Sequence, residues 1–163
     1  EVADLGYCAA KKQYYYGLHG HLLITFNGVI TACAVTSATG DEREALWELT
    51  EGFQGLLVGD KGYLGAWLQA ELATVGVHLQ TPLRANMTDP RPPWVVRQLT
   101  RVRRFVETVI GQLTEQFHFE KIRARDVWHL TSRIARKVLA HTLGIFVNRQ
   151  VGRSDLRFEG LIA

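Results

Sequence analysis

Two carboxylates in this 163-residue sequence have the type and setting to do chemistry. Asp60 ends a short apolar run in LLVGDKGYL, and Glu107 lies within RRFVETVIGQLTEQF. A carboxylate at the C-terminal end of a buried strand sits where α/β sheets form their sites. Gly59 and Gly62 leave room for a ligand or metal to approach the backbone. Lys61 and Tyr63 add a cation and a hydroxyl. A plainer role for Asp60 is to cap the turn that follows it. Glu107 belongs to a polar stripe of Thr100, Arg103, Glu107, Gly111 and Thr114, whose steps of three and four put them on one helix face. An exposed Arg103–Glu107 pair would add only ~0.3–0.5 kcal/mol, so stability is a weak reason for it; an ordinary amphipathic helix is the alternative. Carboxylates from different elements that converge can hold divalent ions, and two such ions about 4 Å apart stabilise the attacking and leaving oxygens of phosphoryl transfer. Magnesium takes hard oxygen ligands. Three acids are normal for such a site, and two make a thin one.

A basic run, FEKIRARDVWHL, supplies Lys121, Arg123 and Arg125. With Arg101, Arg103 and Arg104 it forms a candidate phosphate-binding surface whose affinity would fall steeply with salt. Trp94 and Trp128 could stack on unpaired bases, although tryptophans more often serve as packing residues. The charge is divided unevenly. Residues 1–83 carry 4 Lys/Arg and 9 Asp/Glu, whereas residues 84–163 carry 15 and 7, and 13 of those 15 are Arg. Arginine suits phosphate because its planar fork binds oxygens in pairs, so the basic half points to a polyanion partner, with solvated helix faces as the bland alternative. The six histidines show no metal-ligand spacing, and Cys8 and Cys33 form no CxxC pair, so both read as small packing residues. No apolar run reaches the ~20 residues of a membrane span. With no signal-like segment, a cytoplasmic protein is expected, and a first residue other than Met suggests a fragment or processed chain.

The elements that must position these residues are legible from periodicity. Residues 13–26 and 29–36 read as strands around an Asn27-Gly28 turn. A helix follows, capped by Ser37, Thr39 or Asp41. Residues 55–59 read as a buried strand, 64–75 as a helix and 77–81 as a strand. A loop with four prolines spans residues 82–93. Helices are expected over 94–117 and 127–149, and residues 152–163 form a tail without clear period. The order is a mixed α/β pattern in which a hairpin feeds parallel βαβ units.

Together the phrases KKQYYYGLHGHLLI, GDEREAL, LLVGDKGYL and RRFVETVIGQLTEQFHFEKIRARDVWHLTSRIARKVLAHTL resemble the DDE transposases of bacterial insertion sequences, over roughly residues 7–148. The last phrase is the most specific. The resemblance implies an RNase H-like fold, a mixed five-stranded sheet flanked by helices, as a partial catalytic domain over residues 1–151. It implies metal-dependent cleavage and strand transfer at transposon ends, with Mg2+ as cofactor and Mn2+ as a substitute. Double-stranded DNA would be the partner, and a homodimer the assembly. Asp60 would be the second catalytic acid and Glu107 the third, both binding metal. Lys61, Arg103, Arg104, Lys121, Arg123 and Arg125 would contact DNA. The pattern's first Asp, on a central first strand, has no counterpart here. Asp4 falls in what resembles the linker after that strand. The expected sheet therefore lacks its central strand, and the isolated chain is expected to be weak or inactive. Thr100 and Thr114 stand where the related signature has Tyr and Lys. Two other readings stay open: an inactive DNA-binding remnant, and a metal-dependent nuclease of the same fold.

Overall fold

A computed structural model describes residues 3–8 and 12–161. The chain divides into two compact units, described separately below. One is built from residues up to Leu23 and from Ala32–Arg103, the other from Ile24–Thr31 and from Arg104 onward.

The first unit contains most of the strands. β1 (Asp4–Cys8) pairs antiparallel with β2 (Gln13–Ile24), with Asp4 opposite Gly17 and Cys8 opposite Gln13. β3 (Ile30–Ser37) lies on the other side of β2. β1 is not announced by an inward pattern: Leu5 and Tyr7 alternate toward solvent, and buried Gly6 between them passes close to its neighbours. A Cβ at Gly6 would sit 2.8 Å from both Ala38 and the Tyr15 ring, closer than real side chains approach. α1 (Glu42–Leu49) is capped by Asp41, whose carboxylate accepts from the Arg43 N–H at 2.9 Å. Of the three possible caps, Thr39 is engaged elsewhere, donating to Asp4 at 2.6 Å. β4 (Gly55–Val58) and β5 (Val77–Gln80) are parallel, as a βαβ unit requires, with a 3-10 turn (Lys61–Tyr63) and α2 (Ala66–Thr74) between them.

Among the described residues, five strands form two sheets, β1–β2–β3 and β4–β5. The fold is mixed α/β and compatible with an RNase H-like architecture. No strand among the described residues joins the two sheets. Side chains connect them instead: Leu23 of β2 packs against the core of Leu46, Leu57, Leu68, Leu72, Val77 and Leu79. Removing these side chains from water is the main stabilising contribution, at ~25 cal/mol per Å² of apolar surface.

The second unit is helical. α3 (Pro93–Glu115) runs into it from the first unit, and α4 (Val127–Gln150) follows a 3-10 turn at Phe119–Lys121. The hairpin tip belongs here. Its turn is longer than a two-residue Asn-Gly loop: the Thr25 N–H donates to the Val29 carbonyl at 2.9 Å, and Gly28 takes the left-handed φ of 89° that closes the bend. Residues after α4 are fastened to it. The Asn148 amide donates to the carbonyls of Asp155 and Arg157, and Phe158 is buried against the Phe117 and His141 rings.

Candidate metal and DNA site

The β4–β5 ladder runs one residue past β4, where the Gly59 N–H donates to the Gln80 carbonyl at 2.9 Å. The chain then turns and presents Asp60. Its φ of −77° and ψ of 173° are those of a cap residue, but its carboxylate makes no capping hydrogen bond to the 3-10 turn. The side chain is 60% exposed and faces Arg103, whose Nε lies 3.6 Å from Oδ1. A pair this exposed does little for stability; its effect is to hold a cation beside an accessible carboxylate.

The turn after Asp60 is anchored from behind. The Tyr63 N–H donates to the Asp60 carbonyl at 3.1 Å. The Tyr63 ring packs on the main core, and its hydroxyl lies 3.1 Å from His21 Nδ1. His21 is buried in β2, and its Nε2 lies 2.9 Å from the Thr36 hydroxyl on β3. Thus β2 and β3 grip the turn that carries Asp60. The histidine spacing gave no hint of this link; the usable signal was the position of His21 on the same strand face as the other inward side chains.

Glu107 and Arg104 are exposed on α3, with Glu107 one turn beyond Arg103. Lys61 is half-buried beside Asp60. Lys121, Arg123 and Arg125 are exposed in the second unit. Arg125 is partly engaged, its Nε 3.4 Å from both Asp126 and the His129 ring. Asp126 caps α4 by accepting from the His129 N–H at 2.8 Å, and that bond, followed by the His129 ring, holds its carboxyl below the usual range. Trp94 and Trp128 are 63% and 75% exposed, so neither is a core residue. The described residues contain no group of three or more His, Cys, Asp or Glu placed to hold one metal ion. Asp60 has the oxygen chemistry a hard cation takes, and its exposed carboxylate is not used in capping, although Oδ1 faces Arg103.

A strand-end carboxylate with an arginine beside it, on a chain whose second half is basic, suits a domain that handles phosphodiesters. The chain belongs to the transposase DDE domain family, whose model matches residues 3–127. No curated protein and no solved structure matches it. Its role is accordingly in DNA transposition, the mobile-element function of that family, with DNA as the partner. The family generally uses divalent metal ions. No helix among the described residues is long and apolar enough to cross a membrane.

Proposed function

We propose that this chain is the catalytic part of a transposase that cleaves DNA at transposon ends and joins it to a target, using Mg2+ or, as a substitute, Mn2+. The observation that carries this reading is Asp60, a carboxylate at a cap position that caps nothing and stands exposed beside Arg103. Asp60 and Glu107 are the second and third acids and the metal ligands. When bound, the metal activates the attacking oxygen and stabilises the oxygen that leaves phosphorus. The residues of the chain do the rest. Arg103 orients the Asp60 carboxylate and meets a phosphate oxygen. Lys61, Arg104, Lys121, Arg123 and Arg125 neutralise phosphates on either side of the scissile bond. Tyr63, held by His21, keeps the Asp60 turn in place. In the first step water attacks phosphorus and a 3′-hydroxyl departs; in the second, that hydroxyl attacks a target phosphodiester and displaces another 3′-oxygen. The domain comprises residues 1–151 with the tail at 152–163, and it works as a homodimer on two ends in the bacterial cytoplasm.

The test is a strand-transfer assay with a pre-cut transposon end, target plasmid and Mg2+ or Mn2+. The unaltered chain, in which the pattern's first Asp has no counterpart, is expected to give few joined products, and Asp60→Ala or Glu107→Gln none, with DNA binding retained in both variants. Salt-sensitive binding without any metal-dependent chemistry would instead indicate a DNA-binding remnant. Cutting without joining would indicate a nuclease. Absence of DNA binding at low salt would remove all three readings.

A further inference from the structure

One face of α3 extends away from the Asp60 site and shares with the phosphate contacts proposed there only Arg104. Trp94, Arg97, Arg101 and Arg104 follow one another at steps of three, four and three, so they share a single side of the helix. All four are exposed. Among the described residues the guanidinium groups of Arg97, Arg101 and Arg104 make no hydrogen bond or ion pair, in contrast with Arg91, Arg103 and Arg149, which are each committed to a carboxylate. Gln98, Phe105 and Thr108 complete this side, so it carries no acid over four turns. Arg103 points elsewhere: two residues past Arg101, it stands about 200° further round the helix.

We infer that this row is a docking rail for the sugar-phosphate backbone of duplex DNA, continuing from Arg104 beyond the contacts made beside Asp60. The inference rests on DNA being the partner of this chain. Charge complementarity selects the occupant: three uncommitted guanidinium groups with no neighbouring carboxylate on the row fit an unbroken line of phosphates. The dimensions agree as well. From Arg97 to Arg104 is about 10 Å along the helix, and three successive phosphates of one strand span about 7 Å of the duplex axis, a difference within the reach of arginine side chains. Trp94 extends the row by one turn and offers a flat, exposed indole for contact with the sugar edge or a frayed base. Pro92 and Pro93 precede it and fix the backbone at the start of the helix.

The experiment measures duplex DNA affinity by fluorescence anisotropy between 50 and 300 mM salt, without metal, for the whole chain, for Arg97→Ala/Arg101→Ala and for Arg43→Ala on the acidic helix α1. Alanine is the best helix former, so the double variant keeps α3, which circular dichroism verifies. Each lost phosphate contact lowers the slope of log K against log[salt] by about 0.9, so the double variant is expected to lose about 1.8. Arg43→Ala is expected to match the unaltered chain. Trp94→Phe is expected to abolish part of the tryptophan quenching that DNA produces. An unchanged slope in the double variant, with the unaltered chain still binding DNA, overturns the rail and leaves the proposed chemistry untouched. Failure of the unaltered chain to bind DNA overturns both.

Discussion

The link between His21 and Tyr63 sets how firmly the Asp60 turn is held, and a double-mutant cycle measures it. Tyr63→Phe removes the hydroxyl that lies 3.1 Å from His21 Nδ1 and keeps the ring on the core. His21→Phe keeps an aromatic ring on β2 and removes the contacts to Tyr63 and, at 2.9 Å, to Thr36. A neutral hydrogen bond contributes a net ~0.5–1.5 kcal/mol, and stranding a buried polar group costs ~1–3 kcal/mol. Because His21 is buried, Tyr63→Phe is expected to destabilise the chain by about 1–2 kcal/mol, and His21→Phe by at least as much. The two changes share one contact, so the double variant should be more stable than the sum of the single effects predicts, by about 1 kcal/mol. Urea denaturation gives the three differences. Amide exchange supplies a second readout: residues 60–64 should exchange faster in Tyr63→Phe, because the Tyr63 N–H that closes on Asp60 belongs to the same turn. Additivity within about 0.3 kcal/mol, the usual result for independent sites, would refute the argument that His21 holds the turn.

Two further predictions concern the second unit. His141 is fully buried, and burial pushes its pKa below 6.5, so the folded chain keeps the ring neutral where the unfolded chain protonates it. Its contribution to stability is therefore complete above pH 6.5 and is lost as pH falls below 6.5 toward the lowered folded value. Urea midpoints at pH 7.5 and 5.5 should differ more in the unaltered chain than in His141→Phe. Phe158→Ala should cost about 3–5 kcal/mol, the usual range for emptying a buried aromatic site, because Phe158 is 2% exposed between Phe117 and His141. The urea midpoint reports that loss, and limited proteolysis should then cut between residues 152 and 161.

Most elements were legible because their periods differ. The strands at 13–24 and 30–37 and the helices at 66–74, 93–115 and 127–150 fall within a few residues of where alternation and the 3.6-residue repeat put them. β1 was not legible, since Leu5 and Tyr7 point to solvent and the buried residue between them, Gly6, has no side chain to mark it. The Phe158 anchor was equally hidden, as one apolar residue in a polar tail makes no pattern. Asp60 stood out through its place after an apolar run. The sequence could not show whether its carboxylate was spent on a cap; that depends on the geometry of the turn, which leaves the carboxylate facing Arg103. The contact of Arg103 with Asp60 was not readable either. Helix spacing brings Glu107 within one turn of Arg103, but it says nothing of the contact to Asp60, which joins residues 43 positions apart. His21 shows the same limit, because its partners Thr36 and Tyr63 come from β3 and from the turn after β4.

The most direct test of Asp60 and Glu107 as metal ligands replaces magnesium with Fe2+ and adds ascorbate and peroxide, so that hydroxyl radicals cut the chain where the metal sits. Backbone cuts are expected close to Asp60 and close to Glu107, both suppressed by excess Mg2+ and both lost in Asp60→Ala. Cuts elsewhere, or cuts at these positions that survive Asp60→Ala, would contradict it.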